Sequence, residues 1–206
     1  GVEVKDVIYK VECIDVATQE KRIFTNPECQ FAYRDSIFKR DLKGKYIVTA
    51  VWYKLSRQPQ LNINYGSLAD EVKQYADINL QTVRQAVISI RQRKLPEPKV
   101  LGNAGSFFKN PIVSASKAEA LQKEFPAMPS YPAQEGKVKL AAGWLIEQAG
   151  WKGKSLGAAA VHDRQALVLV NKGGATGQDI YRLCQAVRNA VSERFGIMLE
   201  TEVNLL

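Results

Sequence analysis

Apolar side chains follow two different periods along the chain. In residues 2–16, and again in 46–55, apolar and polar positions alternate with a period of two, which is typical of β-strands. Residues 22–25 follow a polar turn and are predicted to pair back on the first strand as a hairpin. A third short alternation, 61–65, stops at Gly66. The first third of the chain therefore predicts a mostly antiparallel sheet.

Helical spacing begins beyond this region. Leu80, Val83, Val87 and Ile90 repeat as on one helix face, with Asn79 as the predicted N-cap. Basic side chains in the last turn oppose the negative end of the helix dipole, and the prolines that follow end the helix. The stretch 95–98, Leu-Pro-Glu-Pro, is the best boundary between two domains.

The second half alternates helices with short strands. Ser116 and Glu119 have the spacing of a capping box, and a further helix runs from about Leu140 to near Gly150. The remaining predicted elements are a buried strand at 166–171, a hairpin-like glycine turn at 173–174, a long helix from Thr176 to Gly196, and a last strand at 197–203. The predicted fold class is α+β, with domains 1–95 and 96–196 and a closing strand in 197–206.

Composition changes this picture little. The 206 residues are 46% hydrophobic, and no stretch reaches the ~18 apolar residues of a membrane helix. The 29 basic and 21 acidic side chains give a net charge of +8. The excess is spread along the chain, which suits a solvated surface or a phosphorylated small molecule better than a nucleic-acid stripe.

Metal chemistry is not expected. The three cysteines are widely spaced and form no Cys-x-x-Cys pair, and there is one histidine, His162. Reduced thiols in a cytoplasmic protein fit this usage best.

The segment 102–111, Gly-Asn-Ala-Gly-Ser-Phe-Phe-Lys-Asn-Pro, carries the strongest chemical signal. Its glycines allow a close approach of ligand to backbone, and Ser106 follows Gly105 on a predicted tight turn. Lys109 and Asn110 add a cation and an amide that can both donate and accept hydrogen bonds. The segment is neither a Walker loop nor a nucleophile elbow. Ser106 could also serve only as a turn residue.

These residues resemble the signature of the UDP-N-acetylenolpyruvoylglucosamine reductase family, also called UDP-N-acetylmuramate dehydrogenases. Further matches follow in the family's order: 33–39, 139–146, 157–162 and 200–203. The resemblance covers nearly the whole chain. It implies the C-terminal two thirds of such an enzyme, with residues 1–95 as part of a flavin-binding domain and residues from 96 as the substrate domain.

The chain starts with Gly1, and Gly1-Val2-Glu3 resembles the tail of the motif that follows the family's flavin-diphosphate loops. The resemblance thus places those loops before residue 1. We therefore expect residues 1–206 alone to bind FAD weakly or not at all, and to be inactive alone.

The resemblance also implies a reaction. NADPH reduces FAD, and the reduced flavin delivers hydride to the enolpyruvyl double bond of UDP-N-acetylglucosamine enolpyruvate, giving UDP-N-acetylmuramate for peptidoglycan synthesis, cell shape and cell division. Ser106 matches the proton donor, Arg34 a catalytic arginine that clasps the substrate carboxylate, and Glu202 a polariser or proton relay. A simpler interpretation of Arg34 is a salt bridge to Asp35 or Asp41. For Glu202 it is a position on a solvated surface, because strand alternation puts Glu202 on the same face as Glu200.

Binding roles are implied for further residues. Tyr65 and Lys94 match groups that contact the substrate diphosphate, while packing and helix capping are their structural alternatives. Asn110 and Gln165 match groups that bind the nucleotide or sugar. Gly105 and Tyr33 are assigned to the flavin.

Three functions remain open from the sequence. The first is the flavin-dependent reductase, cytoplasmic and monomeric when complete, with no nucleic-acid or membrane partner. The second is a UDP-sugar-binding module without flavin or turnover. The third, a basic nucleic-acid-binding protein, has no stacking platform or helix-turn-helix pattern to support it.

Overall fold

The structure, a computed structural model, describes residues 3–205; Gly1 and Val2 of the first motif lie outside them. The chain divides into two compact units, Gly1–Ile90 and Arg91–Leu206. Both contain helices and antiparallel sheets, which confirms the α+β class.

The first unit is built on a three-stranded antiparallel sheet of order β2-β1-β3. Its elements are β1 (Ile8–Asp15), β2 (Lys21–Thr25), β3 (Tyr46–Tyr53), α1 (Leu68–Val72) and the start of α2 (Leu80–Lys94). Val11 in the central strand pairs with Phe24 on one side and Val51 on the other. The predicted hairpin is therefore confirmed, although a 3₁₀ turn, Val4–Asp6, replaces the start of the predicted first strand.

One face of this sheet carries a small core. Val11, Cys13, Phe24 and Cys29 are buried there. Phe24 meets Phe38 edge to face, with ring centroids 5.2 Å apart. Such aromatic pairs add to the stabilisation from apolar burial.

The strand predicted at 61–65 does not form. Its apolar Ile63 packs instead against Leu68, Val72 and Ala86, the buried residues of α1 and α2. A strand needs a neighbouring strand with which to form hydrogen bonds. Here the apolar Ile63 packs against helices instead, so the segment gains apolar burial without forming a strand. The prediction for α2 is confirmed: Asn79 Oδ1 accepts hydrogen bonds from the N–H groups of Gln81 and Thr82.

The second unit contains two antiparallel sheets, of order β4-β10-β9-β8 and β5-β7-β6. Its elements are β4 (Gly102–Ser106), β5 (Ile112–Ser114), α3 (Ala115–Glu124), β6 (Ser130–Pro132), β7 (Lys137–Leu140), α4 (Ala142–Gln148), β8 (Ser155–Leu156), β9 (Ala159–Val161), β10 (Val168–Asn171) and α5 (Gly177–Phe195).

One large core and a smaller cluster of Ala160, Val168 and Val170 hold this unit together. The buried face of α5, with Leu183, Val187 and Val191, packs in the same cluster as Leu145 and Ile146 of α4. Both ends of α5 are capped as predicted. Thr176 and Asp179 form a reciprocal capping box at its start, and Gly196 takes the left-handed conformation at its end.

Four local predictions for this unit are wrong. The cap of α3 is Ser114, whose Oγ accepts from the N–H of Lys117, rather than Ser116. Residues 102–106 form strand β4, where a tight turn at Ser106 was predicted. The glycines at 173–174 connect β10 to α5 instead of turning a hairpin. Residues 197–203 form no strand and make one isolated bridge, from Thr201 to Phe108.

Candidate active site

Ser106 lies at the end of β4, opposite Val168 of β10. The preceding Gly105 has φ +72°, and a Cβ there would meet no atom within 4 Å. The side chain of Asn103 braces this bend: Oδ1 accepts from the N–H of Gly105 at 3.0 Å, and Nδ2 donates to the carbonyl of Leu101 at 2.8 Å. The half-buried Ser106 is therefore presented at a braced bend beside open space.

The C-terminal segment is clipped to the residues directly after Ser106. The N–H of Glu202 donates to the carbonyl of Phe107 at 2.8 Å, and the N–H of Lys109 donates to the carbonyl of Glu200 at 2.9 Å. Arg188 of α5 anchors the same segment by donating from Nε to the carbonyl of Leu199 at 2.9 Å. Backbone hydrogen bonds thus connect the segment that carries Glu202 directly to the residues that follow Ser106.

The two glutamates of this segment differ in their surroundings. Glu200 is 76% exposed and pairs with Lys109, whose Nζ lies 3.1 Å from its carboxylate. Glu202 is half-buried. The shared face expected from strand alternation is absent, and Lys109 is engaged by Glu200. Glu202 is the better candidate for a site group because it is partly withdrawn from solvent.

Asn110 and Gln165 both lie beside the start of α4. Asn110 Oδ1 accepts from the N–H of Ala142 at 2.9 Å and so satisfies one of the free donors of this helix. A Cβ on Gly143 would lie 3.4 Å from Gln165 Oε1, so the glycine admits the Gln165 side chain. The two candidate binding residues therefore flank one helix end.

Lys94 lies in the last turn of α2 and is exposed. The neighbouring carbonyl, of Arg93, accepts a hydrogen bond from Arg164 Nη1 at 3.0 Å. The C-terminus of α2 is thereby tied to the connection between β9 and β10, which also carries Gln165.

Tyr33 and Arg34 occupy the middle of one tight turn in the first unit. Ala32 and Asp35 exchange two backbone hydrogen bonds, at 3.0 and 3.2 Å, around them. Arg34 takes a left-handed backbone with φ +54°, which costs a non-glycine residue about 1 kcal/mol or more. The acid of the neighbouring Asp35 pairs with Arg40 at 3.1 Å. The exposed Arg34 is therefore held in a strained, fixed turn.

Tyr65 lies in the first unit on the connection between β3 and α1. Its side chain is 70% exposed, and the next residue, Gly66, has φ +58°. Packing is therefore a poor account of this tyrosine.

The glycine-rich connection 173–177 does not fit the pyrophosphate of a dinucleotide. Three of its N–H groups are already engaged: those of Gly173 and Ala175 donate to Asn171 Oδ1, and that of Thr176 donates to the Asp179 carboxylate. An acid at this helix start would also repel a phosphate. A Cβ on Gly105 in strand β4 would meet no atom within 4 Å, so nothing on that side blocks the approach of a flat ring.

Neither a metal site nor a membrane-spanning helix is found within residues 3–205. No group of three or more histidine, cysteine or acidic side chains is placed to hold a metal ion. None of the helices in that range is both long and apolar enough to cross a bilayer.

Sequence reasoning missed three residues that shape the site. They are Asn103, Arg188 and His162, each of which uses a side chain to bind backbone groups of a candidate segment. Asn103 stands between the two glycines and offered a local signal for a bend. Arg188 offered none, because its partner, the carbonyl of Leu199, is set by tertiary contacts. His162 binds N–H groups only two and three residues further along the chain, but histidine is not among the residue types that typically signal such a turn.

Comparison with known proteins gives three kinds of similarity. The family model described as "UDP-N-acetylenolpyruvoylglucosamine reductase, C-terminal domain" matches residues 96–206. Proteins named UDP-N-acetylenolpyruvoylglucosamine reductase from Bacteroides fragilis and Flavobacterium johnsoniae are each 50% identical, over 206 and 209 residues. Each match covers 100% of this chain and 62% of that protein, so the chain spans less than two thirds of these relatives.

A solved structure supports the fold. The crystal structure of UDP-N-acetylenolpyruvylglucosamine reductase from Thermus caldophilus aligns with 97% of this chain and 53% of its own, with a TM-score of 0.58 and 23% identity. At that identity the likeness concerns the fold alone. The sequence matches and the family model together confirm the resemblance in the glycine-serine signature: the chain belongs to the UDP-N-acetylenolpyruvoylglucosamine reductase family, with its C-terminal domain in residues 96–206.

Proposed function

We propose that this chain provides the substrate-side residues for reduction of the enolpyruvyl group of UDP-N-acetylglucosamine enolpyruvate to UDP-N-acetylmuramate, a cytoplasmic step of peptidoglycan synthesis. The observation that carries the proposal is the braced bend at Ser106, joined by hydrogen bonds to the segment that carries Glu202. In this reaction FAD, reduced by NADPH, supplies the hydride. In this proposal residues 1–95 are part of the flavin-binding domain, residues 96–196 are the substrate domain, and the segment 197–206 returns to the active site.

Ser106 is the proposed proton donor. As hydride reaches the terminal carbon of the enolpyruvyl group, the electron pair of its double bond moves onto the adjacent carbon and the carboxylate. That carbon is a strong base and takes the proton of the Ser106 hydroxyl. The strand is open at Gly105, directly before Ser106, where a Cβ would meet no atom within 4 Å.

Arg34 and Glu202 are the residues proposed to interact electrostatically with the reacting part of the substrate. A guanidinium can bind the substrate carboxylate through two hydrogen bonds and stabilise the charge that moves onto it. The strained backbone of Arg34 supports a role beyond the fold, because strain persists where function needs a fixed geometry. Half-buried Glu202 would polarise or relay the proton.

The binding groups divide between phosphate and nucleotide. Lys94 at the end of α2 and the exposed Tyr65 are proposed for the diphosphate. Asn110 and Gln165, which flank the start of α4, are proposed for the nucleotide or sugar. Tyr33 and Gly105 are proposed to face the flavin.

Substituting Ser106 tests this proposal. In the complete, flavin-loaded enzyme, Ser106→Ala should leave flavin reduction by NADPH intact and slow the substrate half-reaction by about 10²–10⁴-fold. Ser116→Ala, an exposed serine on α3, is the matched control and should change neither. Equal loss in both half-reactions for Ser106→Ala would contradict the role as proton donor.

A second candidate function is favoured by the glycine connection at 173–177, in which three N–H groups already have acceptors. If residues 1–206 hold no pyrophosphate site, the isolated chain is a UDP-sugar-binding module without flavin or turnover. Titration of FAD into the chain should then show no stoichiometric complex at micromolar concentrations, while UDP-N-acetylglucosamine still binds. A tight, stoichiometric FAD complex would overturn this candidate.

A further inference from the structure

His162 is a buried polar side chain that the proposed reaction does not use. It follows β9 directly and is 6% exposed. Its Nδ1 accepts two backbone hydrogen bonds, from the N–H groups of Arg164 and Gln165, both at 3.2 Å. Because Nδ1 accepts, the ring in this arrangement is neutral and carries its proton on Nε2, which lies 3.4 Å from Asp163 Oδ1.

Burial favours the same neutral ring. Desolvation lowers the pKa of His162 below its ordinary value; the Asp163 carboxylate opposes this shift and the Arg164 guanidinium adds to it. The imidazole is therefore available as an acceptor at neutral pH.

Both hydrogen bonds close the short connection from His162 to Gln165. The carbonyl of Gln165 in turn accepts from the N–H of Val168, at 3.0 Å, at the start of β10. The backbone on either side of Gln165 is thus fixed, and so is the point from which its side chain reaches the start of α4.

The same connection also reaches the second candidate binding group. The guanidinium of Arg164 donates to the carbonyl of Arg93, one residue before Lys94. The imidazole of His162 therefore fixes the backbone of residues 162–165, which carries both Gln165 and the Arg164 side chain that binds the last turn of α2.

We propose that His162 is a positioning residue for UDP-sugar binding: by accepting the N–H groups of Arg164 and Gln165, its Nδ1 sets the geometry of Gln165 and Lys94. The inference rests on the proposed function, since it assigns these two residues to the ligand. An apolar residue of similar volume would fill the same space but leave two backbone donors without an acceptor.

Two substitutions separate acceptor from volume. His162→Leu removes the acceptor, whereas His162→Asn places an amide oxygen close to the Nδ1 position. Calorimetric titration of residues 1–206 with UDP-N-acetylglucosamine should give about tenfold weaker binding for His162→Leu and less than about threefold weakening for His162→Asn. Leu121→Ala, a core change on α3, is the control for a general loss of stability and should leave affinity unchanged.

A double-mutant cycle then tests the route of the effect. If His162 acts through Gln165, its substitution should cost much less in a Gln165→Ala background than in the wild type. Full additivity of the two losses would overturn the inference. So would equal affinities for His162→Leu and the wild type.

Two further measurements cover a leucine variant that does not fold. Arg164→Ala removes only the hydrogen bond to the carbonyl of Arg93 and should weaken binding about threefold. An unchanged affinity would count against the inference. In the unliganded protein, amide hydrogen exchange of Arg164 and Gln165 should be slow in the wild type and His162→Asn. Rapid exchange in the wild type would overturn the inference, whereas failure of the wild type to bind UDP-N-acetylglucosamine would overturn the proposed function, whatever the exchange rates.

Discussion

The two units bury their apolar side chains to very different extents. In the second unit Leu140, Leu145 and Val187 are fully buried in one large cluster. In the first unit β3 leaves Ile47 60% exposed and Tyr53 52% exposed, and the buried residues fall into two small clusters. The same share of apolar residues therefore gives one closed core and one open sheet.

This difference shows where stability should reside. The stabilising free energy of apolar burial scales with the area removed from water, so the second unit should keep a cooperative core by itself. In the first unit β2 and β3 are the outer strands among the described residues, and their free backbone groups are templates for pairing with another chain. We expect this unit to unfold earlier and to associate.

A pair of leucine and isoleucine substitutions gives the sharpest contrast. Leu145→Ala leaves a cavity in the second unit and should lower its free energy of unfolding by about 2–5 kcal/mol. Ile47→Ala on the open sheet should cost about 0.5 kcal/mol or less. Urea unfolding followed at Trp144 and Trp151 reports the second unit, and Trp52 reports the first. Similar costs at the two positions would remove the contrast.

Tyr65 tests whether the less buried unit contributes to ligand binding. Tyr65→Phe removes only the hydroxyl and should weaken UDP-sugar binding by about 1–2 kcal/mol if it donates to a phosphate. Tyr9→Phe, on the exposed sheet, is the matched control. Calorimetry compares the two, and an unchanged affinity for Tyr65→Phe would return this residue to a structural role.

Helix caps compare the units at equal chemistry. Thr176→Ala removes the capping box of α5 and should destabilise the second unit by about 1 kcal/mol. Asn79→Ala removes the cap of α2 and should cost a similar amount locally, as seen by helical circular dichroism. A loss at Asn79 several times that at Thr176 would show that the first unit depends more on local structure than its open sheet suggests.

The smallest effect concerns pH. Burial lowers the pKa of His162 in the folded protein below its ordinary value of 6.5. As the pH falls below about 6.5 the unfolded chain binds a proton first, so the stability of the second unit should decline on acidification. Because this is the chain's one histidine, His162→Asn should flatten stability between about pH 7 and 5. A wild-type stability that rises on acidification would contradict the sign.

Local signals explain which elements could be predicted from the sequence. The long helices α2 and α5 were predicted with their caps, because Asn79, Thr176 and Gly196 act on backbone groups within a few residues. The strand at 61–65 failed because Ile63 had a helical surface to pack on. The tight turn predicted at Ser106 is part of strand β4 instead, because its pairing with Val168 depends on residues 62 positions away.

The candidate site shows the same limit. The motif pointed to Ser106 and Glu202, and the structure joins their backbones through Phe107. The ion pair between Lys109 and Glu200 could not be predicted, because it needs two segments 91 residues apart. The roles of these residues, and of Arg34 and Tyr33 in the first unit, stay predictions.

The left-handed backbone of Arg34 has a consequence for protein engineering. Glycine adopts this conformation without the steric penalty, so selection for heat resistance alone would favour Arg34→Gly or Arg34→Asn. Under the proposed role, the same change would remove the guanidinium that binds the substrate carboxylate. The turn from Ala32 to Asp35 would then be a place where thermal tolerance and turnover pull in opposite directions, so libraries aimed at thermostability should leave Arg34 unchanged.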